Sequence, residues 1–411
     1  MTILQILSLL FATAAVFGLI TCRWLKLPIT IGTMLLTMLA SLALILTSKK
    51  VPGIHLWVTT FLNQIDFGTL ILRGMLPLLL FAGAFLLDLD ELVREKLAIT
   101  LLSTVGTGIM FFLVALLMEL MSSGRIPWIE CLIFGALISP TDPIAVLEML
   151  RRVGIPKHIE AQLAGESLFN DGIGAVLFIT MLDVAAGNAP TPWHVAGILL
   201  AKAGGGILVG VVAAWIASQL MRRINAYQVD ILVTIALAFG GYALADMLKV
   251  SPPLEAVVAG IALRHFNRML PKGNIADNSV DGFWKVIDEV QNSILFVLLG
   301  LEAMAIALDR ATIVTGFAAI LSVNAVRFVA VAGLLLLVRI IRPAHRSSTF
   351  VLTWGGLRGG LSIALALSVP EALGRSWMLG ATYMVVVFSI VTQGTSMNWI
   401  LHRRALKRLA A

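Results

Sequence analysis

The composition of the chain excludes most soluble classes of protein. Its 411 residues are 59% hydrophobic and only 13% charged, with a mean hydropathy of +0.96, whereas soluble domains are about 45–50% apolar and about 25% charged. Two cysteines are too few for a disulfide scaffold. The 30 Lys and Arg residues, against 23 Asp and Glu, fall in short clusters between apolar runs. This pattern is typical of the cytoplasmic loops of a membrane protein and not of a nucleic-acid-binding surface.

Thirteen apolar stretches follow one another along the chain, each of spanning or near-spanning length. A helix of about 17–25 residues crosses the hydrocarbon core of a bilayer, so the sequence predicts an all-α, polytopic protein surrounded by membrane lipid. The stretch 51–64 is interpreted as a loop or a short interfacial helix. The predicted spans are 2–22, 28–47, 66–87, 97–121, 127–149, 159–184, 194–221, 228–248, 252–266, 284–308, 311–338, 347–369 and 376–401.

The distribution of basic residues predicts the orientation of the chain. An odd number of spans places the termini on opposite sides, and twenty of the 30 Lys and Arg residues then fall on one side against six on the other. Because basic residues accumulate in cytoplasmic loops, we expect a multi-pass protein of the bacterial inner membrane with its N-terminus outside and its C-terminus in the cytoplasm. The sequence shows no metal-binding pattern within the spans and no nucleotide motif, so no resident cofactor is expected.

The fifth span contains the run Ser139-Pro140-Thr141-Asp142-Pro143. Each proline removes a backbone donor and clashes with the preceding helical turn, so we predict two half-helices joined by extended backbone at Thr141 and Asp142. Broken backbone at membrane depth is tolerated only where protein buries it or where it lines a cavity. Such a break leaves carbonyls and helix ends available to ions. The alternative interpretation is a kinked helix with a purely structural role.

The sixth span carries two acidic residues near its middle, Glu166 and Asp171, although an ionisable side chain costs about 2.5–3.5 kcal/mol at the centre of a bilayer on insertion scales. Ser167 and Asp171 are four residues apart and share one helix face, and Glu166 and Asn170 share the neighbouring face. Oxygen ligands suit hard cations, so the pattern predicts a site for a monovalent cation; a polar network that only holds helices together is the alternative. The predicted ligands are Asp142, Asp171, the Ser167 hydroxyl and the carbonyl near Thr141.

The twelfth span contains a mid-membrane arginine flanked by glycines, in the run Gly355-Gly356-Leu357-Arg358-Gly359-Gly360. Glycine weakens a helix by about 1 kcal/mol relative to alanine, so a second broken helix is predicted here. Arg358 needs a counterion inside the membrane, and Glu166 is the expected partner, with a structural role more than a transport-active one. Arg327 in the eleventh span is a second cation placed to balance the aspartates.

The two broken spans occupy equivalent positions in two triplets of spans, the fourth to sixth and the eleventh to thirteenth. The first triplet enters from the cytoplasm and the second from outside, so the triplets are inverted. Interrupted helices at corresponding positions of inverted halves are the best sequence pointer to a transporter site. An ion channel and an intramembrane hydrolase with two catalytic aspartates are the alternatives. Inverted broken helices argue against a continuous pore, and the neighbouring Ser, Asn and Arg suit ion binding better than hydrolysis.

These motifs resemble those of the NhaP-type sodium/proton antiporters of the cation:proton antiporter-1 family. The resemblance rests on residues 139–143, 165–172 and 355–360, with weaker support from 296–302, and covers nearly the whole chain. It implies a secondary transporter and not an enzyme, which exchanges Na⁺ or Li⁺ for H⁺; the sequence leaves K⁺/H⁺ exchange by the same machinery open. It also implies a homodimer in which Na⁺ and H⁺ compete for one site on a core domain that moves like an elevator.

The resemblance assigns Asp171 as the principal ion-binding and proton-carrying carboxylate. The Asn170-Asp171 pair, in place of two aspartates, marks the branch that is expected to be electroneutral. Ala82 stands where family members commonly have a Glu in the third span, which leaves the partner of Asn170, the cation selectivity and the hydration of the site open. The remaining implied site residues are Asp142, Ser167 and the Thr141 main chain as completing ligands, Asn170 as a stabiliser, and Glu166 with Arg358 as a tie between core helices.

The family resemblance also implies a division of the chain into a dimerisation domain and an ion-translocating core domain, connected by one linking helix. The helices of the dimerisation domain are the candidates for the dimer interface. The implied ranges are 1–93 for dimerisation helices 1–3, 94–190 for core helices 4–6, 191–225 for linking helix 7, 226–310 for dimerisation helices 8–10, and 311–411 for core helices 11–13 with a short cytoplasmic tail.

Overall fold

A computed structural model describes the fold for residues 3–25, 29–48, 67–187, 191–223, 226–268, 274–302, 310–342 and 348–397. Within these ranges the regular secondary structure is helical, with no β-strand, which confirms the predicted all-α class. The described part therefore satisfies its backbone hydrogen bonds within helices, as a chain surrounded by lipid must. The stretch 51–64, interpreted from the sequence as a loop or an interfacial helix, lies outside these ranges.

Seventeen α-helical segments position the side chains discussed below. Several of them continue through a π-helical turn, at Thr21–Leu25, Leu70–Met75, Leu102–Gly106 and Ser389–Gly394. The segments are α1 Ile3–Ile20, α2 Ile29–Ser48, α3 Leu76–Phe85, α4 Leu89–Arg94, α5 Lys96–Leu101, α6 Thr107–Ser122, α7 Trp128–Ile138, α8 Ile144–Val153, α9 Lys157–Ala185, α10 Pro192–Arg222, α11 Tyr227–Met247, α12 Pro252–Arg268, α13 Asn274–Glu302, α14 Arg310–Ile341, α15 Thr349–Gly355, α16 Gly360–Ser368 and α17 Arg375–Phe388.

Each of the thirteen predicted spans coincides with helix in the described residues. Seven described helices are long and apolar enough to cross a membrane, and the bent pair α15–α16 supplies an eighth candidate. The remaining predicted spans correspond to shorter, broken or more polar helices, such as the halves α7 and α8. The count of thirteen crossings therefore stays a prediction, as do the domain boundaries and the orientation of the termini.

The helices of the two inverted triplets share a continuous apolar core. One cluster of buried residues joins α6, α7 and α9 to α14, α16 and α17, and its fully buried members include Phe134, Ala319 and Met378. A separate cluster joins α3 to α10, α11, α12 and α13 around Trp284. Burial of such side chains stabilises the fold by roughly 25 cal/mol per Å² of apolar surface wherever the alternative is water. Helix α9 of the first group and helices α3 and α13 of the second also line the cavity described below.

Candidate cation-binding site

The fifth predicted span is broken as expected from its prolines. Helix α7 ends at Ile138 and α8 begins at Ile144, and the intervening backbone, residues 139–143, is not helical. Pro143 occupies the N-cap position of α8, where its missing N–H costs no helical hydrogen bond. Thr141 is 2% exposed, so this break lies inside the protein. The predicted pair of half-helices is confirmed.

The twelfth predicted span is broken at its glycines. Helices α15 and α16 are separated by residues 356–359 and bend by 46° relative to one another. Gly359 has φ −135° and ψ −154°, an extended conformation, as the N-cap of α16. Its missing side chain matters for packing, because a Cβ on Gly359 would lie 2.5 Å from the Cβ of Asp142. Glycine therefore allows the second break to approach the first at the carboxylate.

The two breaks are joined by their backbones. The N–H of Asp142 donates a hydrogen bond to the carbonyl of Leu357, with an N–O distance of 2.8 Å. Together with the close approach of Gly359 to the Asp142 side chain, this bond places the extended segments of the two inverted triplets against each other. The expected pair of crossing broken helices is therefore present in the fold.

Helix α9 supplies the polar side chains that hold the first break in place. The Ser167 hydroxyl donates to the carbonyl oxygen of Thr141 at 2.5 Å. The Asn170 amide accepts from the Thr141 N–H at 3.1 Å and donates to the Thr141 hydroxyl at 2.7 Å. All three residues are buried, so these bonds satisfy backbone groups that the missing helical turn leaves free. Thr141 is thus the main partner of Asn170.

Asp142 and Asp171 line the same cavity, which has a volume of about 640 Å³. Asp142 accepts a hydrogen bond from the N–H of Ile144 at 3.2 Å, so the start of α8 orients its carboxylate. Ser167 and Thr141 also line the cavity. The four predicted ligand residues are therefore brought together around one space. Their oxygen atoms are suitable ligands for a hard cation.

The cavity reaches solvent at a mouth lined by charged side chains. Arg151 at the end of α8 is 65% exposed in its side chain, and Lys285 and Glu289 of α13 are exposed as well. The wall between the mouth and the aspartates includes Asp288 and Asn292 of α13. An open path thus connects the candidate ligands to the side of the protein where Arg151 and Lys285 lie, which is the predicted cytoplasmic side.

The prediction that Glu166 forms an ion pair with Arg358 is wrong. Glu166 is paired instead with Arg327 of α14, which donates to both carboxylate oxygens, with 2.7 Å from Nη2 to Oε2. Arg327 also donates to the carbonyl of Leu352 at 2.9 Å. A Cβ on Gly356 would lie 2.6 Å from the guanidinium of Arg327. The glycine break thus makes room for Arg327. The two charges are both buried and satisfy each other in bidentate geometry.

Arg358 lies in the interior of the protein, as its mid-span position predicts. Its side chain is 1% exposed, and across the described ranges its three guanidinium nitrogens have no hydrogen-bond partner. A buried arginine without a hydrogen-bonded counterion acts on its surroundings through its charge. It is therefore a buried positive charge on the second break, and the role of tying the core helices together falls to Arg327.

The third span contributes apolar residues to this region. Ala82 is fully buried in the cluster with Phe81 and Trp284 and does not line the cavity, whereas the neighbouring Gly83 does. Sequence reasoning also missed the wall formed by α13. The signal was available in the tenth predicted span, where Asp288 and Asn292 are four residues apart and so share a helix face.

An apolar helical protein with two crossing broken spans, buried compensating charges and two carboxylates on one solvent-connected cavity belongs to the class of ion-coupled secondary transporters. The comparisons with known proteins give the family.

The sequence matches, over residues 11–403, the family described as "Sodium/hydrogen exchanger, transmembrane". The Na(+)/H(+) antiporter NhaP of Pseudomonas aeruginosa is 37% identical over 409 residues, which cover 97% of this chain and 96% of that protein. The Na(+)/H(+) antiporter NhaH of Halobacillus dabanensis is 29% identical, with 97% of each chain covered. The fold is similar to that of the sodium proton antiporter MjNhaP1 from Methanocaldococcus jannaschii, with a TM-score of 0.73, 18% identity and coverage of 95% of this chain and 98% of that one. The chain belongs to the sodium/hydrogen exchanger family, whose members are transporters and not enzymes.

Proposed function

We propose that the protein exchanges Na⁺ or Li⁺ for H⁺ and that the two ions compete for Asp171 and Asp142. The observation that carries this proposal is the placement of both carboxylates on one solvent-connected cavity at the crossing of the broken helices. A carboxylate inside the membrane is costly as a bare charge, and either a proton or a cation neutralises it. Asp171 is the principal carrier, and Asp142, Ser167 and the Thr141 main chain complete the cation's ligands.

The formal charges of the groups carried by α9, α14 and the two broken spans support electroneutral exchange. Three carboxylates, Asp142, Asp171 and Glu166, face two cations, Arg327 and Arg358. With all five groups ionised, one negative charge is in excess. One bound Na⁺ or one bound proton compensates this charge equally, so the loaded site is neutral with either substrate. A one-for-one exchange without net charge movement follows from this balance.

Transport requires that the site face each side of the membrane in turn. The described cavity opens on one side, at Arg151 and Lys285, which the distribution of basic residues assigns to the cytoplasm. The second state is reached by an elevator-type movement of the core helices against the dimerisation helices, within a homodimer in the bacterial inner membrane. The cost of moving an unneutralised carboxylate through the apolar barrier restricts this movement to the loaded forms.

The test is ion exchange by purified protein in proteoliposomes. Replacement of Asp171 by Asn keeps the shape of the side chain and removes its charge, so Na⁺-driven proton flux should fall to the rate of protein-free vesicles. Asp183→Asn is the matched control, because Asp183 is on the same helix but pairs with Lys202 away from the cavity. Exchange by the Asp171→Asn variant at the wild-type rate would refute the proposal.

The same vesicles identify the cation and the reaction class. Flux with Na⁺ and Li⁺ but little with K⁺ is expected; a preference for K⁺ would indicate K⁺/H⁺ exchange at the same site. An imposed voltage should leave the rate unchanged if exchange is electroneutral. Cation currents without coupled proton flux would indicate a channel, and cleavage of a membrane peptide would indicate a hydrolase.

A further inference from the structure

We infer a second, weaker binding position for a monovalent cation on the α13 wall of the cavity, formed by Asp288 and Asn292. The inference rests on the proposed function, because the ion it would bind is the transported cation. Neither residue belongs to the two broken spans or to α9. Both line the cavity that contains Asp142 and Asp171.

The hydrogen bonding of the pair leaves an oxygen atom available. Asn292 donates from its amide nitrogen to Asp288 Oδ1 at 3.2 Å, and an ionised carboxylate can only accept, so the orientation of the amide is fixed. The amide oxygen of Asn292 then has no hydrogen-bond partner among the described residues, although the side chain is only 2% exposed. A buried acceptor without a donor is destabilising, and a bound cation would satisfy it.

The pair lies between the mouth of the cavity and the aspartates. Along α13 the exposed Lys285 and Glu289 stand at the mouth, whereas Leu295 packs against the second break, where a Cβ on Gly360 would lie 2.6 Å from its Cδ1. Asp288 is seven residues before Leu295, or about 10 Å along a helix that rises 1.5 Å per residue. An ion that moves from solvent to Asp142 and Asp171 therefore passes this pair.

The side chains of Asp288 and Asn292 are suited to weak, transient binding of a hard cation. A carboxylate oxygen and an amide oxygen are ligands that such cations accept, with water completing the shell. Two protein ligands hold the ion less firmly than the four residues at the aspartates, so the pair concentrates cations without trapping them. Because α13 is separate from the broken helices, the pair serves ions that enter or leave by this mouth only.

The test compares transport kinetics of full-length variants in proteoliposomes, with Na⁺ varied on each side separately. Asp288→Asn keeps the shape and the bond to residue 292. It should raise the KM for Na⁺ supplied at the α13 mouth by about three- to tenfold, the effect expected for loss of one charge-assisted contact. The maximal rate at saturating Na⁺ and the KM from the opposite side should stay unchanged. Asn292→Ala should raise the same KM. Asp288→Glu keeps the charge, so its KM should stay close to that of the wild-type protein.

Glu289→Gln is the matched control, since it removes the same charge from the next residue, whose side chain is exposed at the mouth. An equal rise in KM for Glu289→Gln and Asp288→Asn would show that the negative charges near the mouth attract Na⁺ at long range without a binding position, and would overturn the inference. So would an unchanged KM in Asp288→Asn.

A direct measurement separates this inference from the proposed function. Absence of Na⁺-dependent proton flux in the wild-type protein would refute the proposed function alone. Sodium binding to the Asp142→Asn/Asp171→Asn variant, followed by ²³Na NMR line broadening, should then still detect the weaker position. Addition of Asp288→Asn should abolish that broadening, and persistence of the broadening would overturn the inference.

Discussion

The two broken spans have the same architecture but opposite chemistry. In the first, between α7 and α8, two prolines end the helices and the break presents Asp142 and the Thr141 main chain. In the second, between α15 and α16, glycines permit extended backbone and the break carries Arg358. The first break supplies ligands, and the second supplies positive charge and close approach. Inverted symmetry of the backbone therefore does not imply symmetry of function, because the side chains at equivalent positions carry opposite charges.

The difference also explains why the second break contains so little side-chain volume. Gly356 leaves room for the Arg327 guanidinium, and Gly359 leaves room for the carboxylate of Asp142. Each glycine thus serves a group that belongs to another helix. The first break receives its support from outside in the same way, from Ser167 and Asn170 of α9.

The largest effect is expected from adding one carbon atom at the contact of the two breaks. Gly359→Ala would place a Cβ 2.5 Å from the Cβ of Asp142 and displace the carboxylate. A misplacement of about 1 Å can lower a rate about a hundredfold, and we expect a loss of Na⁺/H⁺ exchange of that order in proteoliposomes. Gly108→Ala is the control, because a Cβ there meets no atom within 4 Å. Normal exchange by Gly359→Ala would mean that the breaks need not touch.

A second prediction distinguishes the two buried arginines. Arg327→Gln leaves Glu166 buried without its counterion, which destabilises by about 3–5 kcal/mol, whereas Arg358→Gln breaks no hydrogen bond made by the described residues. Thermal unfolding in detergent should therefore show a much larger loss for Arg327→Gln. The double variant Glu166→Gln/Arg327→Gln should recover part of that loss. A larger loss for Arg358→Gln would restore the pairing with Glu166 that the sequence suggested.

The smallest effect on stability is expected at a surface ion pair, which can be compared with the buried pair of Arg327 and Glu166. Arg268 of α12 donates two hydrogen bonds to Asp90 of α4, at 3.0 and 2.7 Å, and these bonds lower the pKa of Asp90 below its ordinary value of 3.8. The stabilisation is therefore present above the ordinary value and is lost as pH falls through the lowered pKa.

Because both side chains are at least half exposed, solvent screens the pair. Asp90→Asn should lower the unfolding temperature slightly at neutral pH, by less than Arg327→Gln does. The difference from the wild-type protein should disappear as the pH is lowered below 3.8. A difference that grows in acid would show that Asp90 acts through contacts other than the pair with Arg268.

The sequence predicted the backbone of this site better than its side-chain partners. Both breaks could be predicted because proline and glycine act locally: Pro140 and Pro143 cannot continue a helix, and the glycines around Arg358 weaken one. The shared face of Ser167 and Asp171 followed from helical periodicity, and both residues line the cavity.

The choice of partner for Glu166 could not be predicted in this way. It depends on the distances from α14 and from the second break to α9, and a single sequence does not give distances between helices. The sequence assigned Arg358 to Glu166 and Arg327 to the aspartates, but the packing of the helices places Arg327 against Glu166. The wall of Asp288 and Asn292 was missed for a related reason, since its importance depends on which cavity α13 faces.

The hydrogen bond from Asp142 N–H to the Leu357 carbonyl connects main-chain atoms only. Side-chain mutagenesis therefore leaves the bonded atoms in place, except where proline removes the donor. As long as this hydrogen bond persists, the two broken spans move as one rigid unit. A displacement that carries Asp142 across the bilayer must then carry the Arg358 segment with it. Exchange of the Asp142 amide for an ester by chemical ligation would loosen that coupling without altering any side chain.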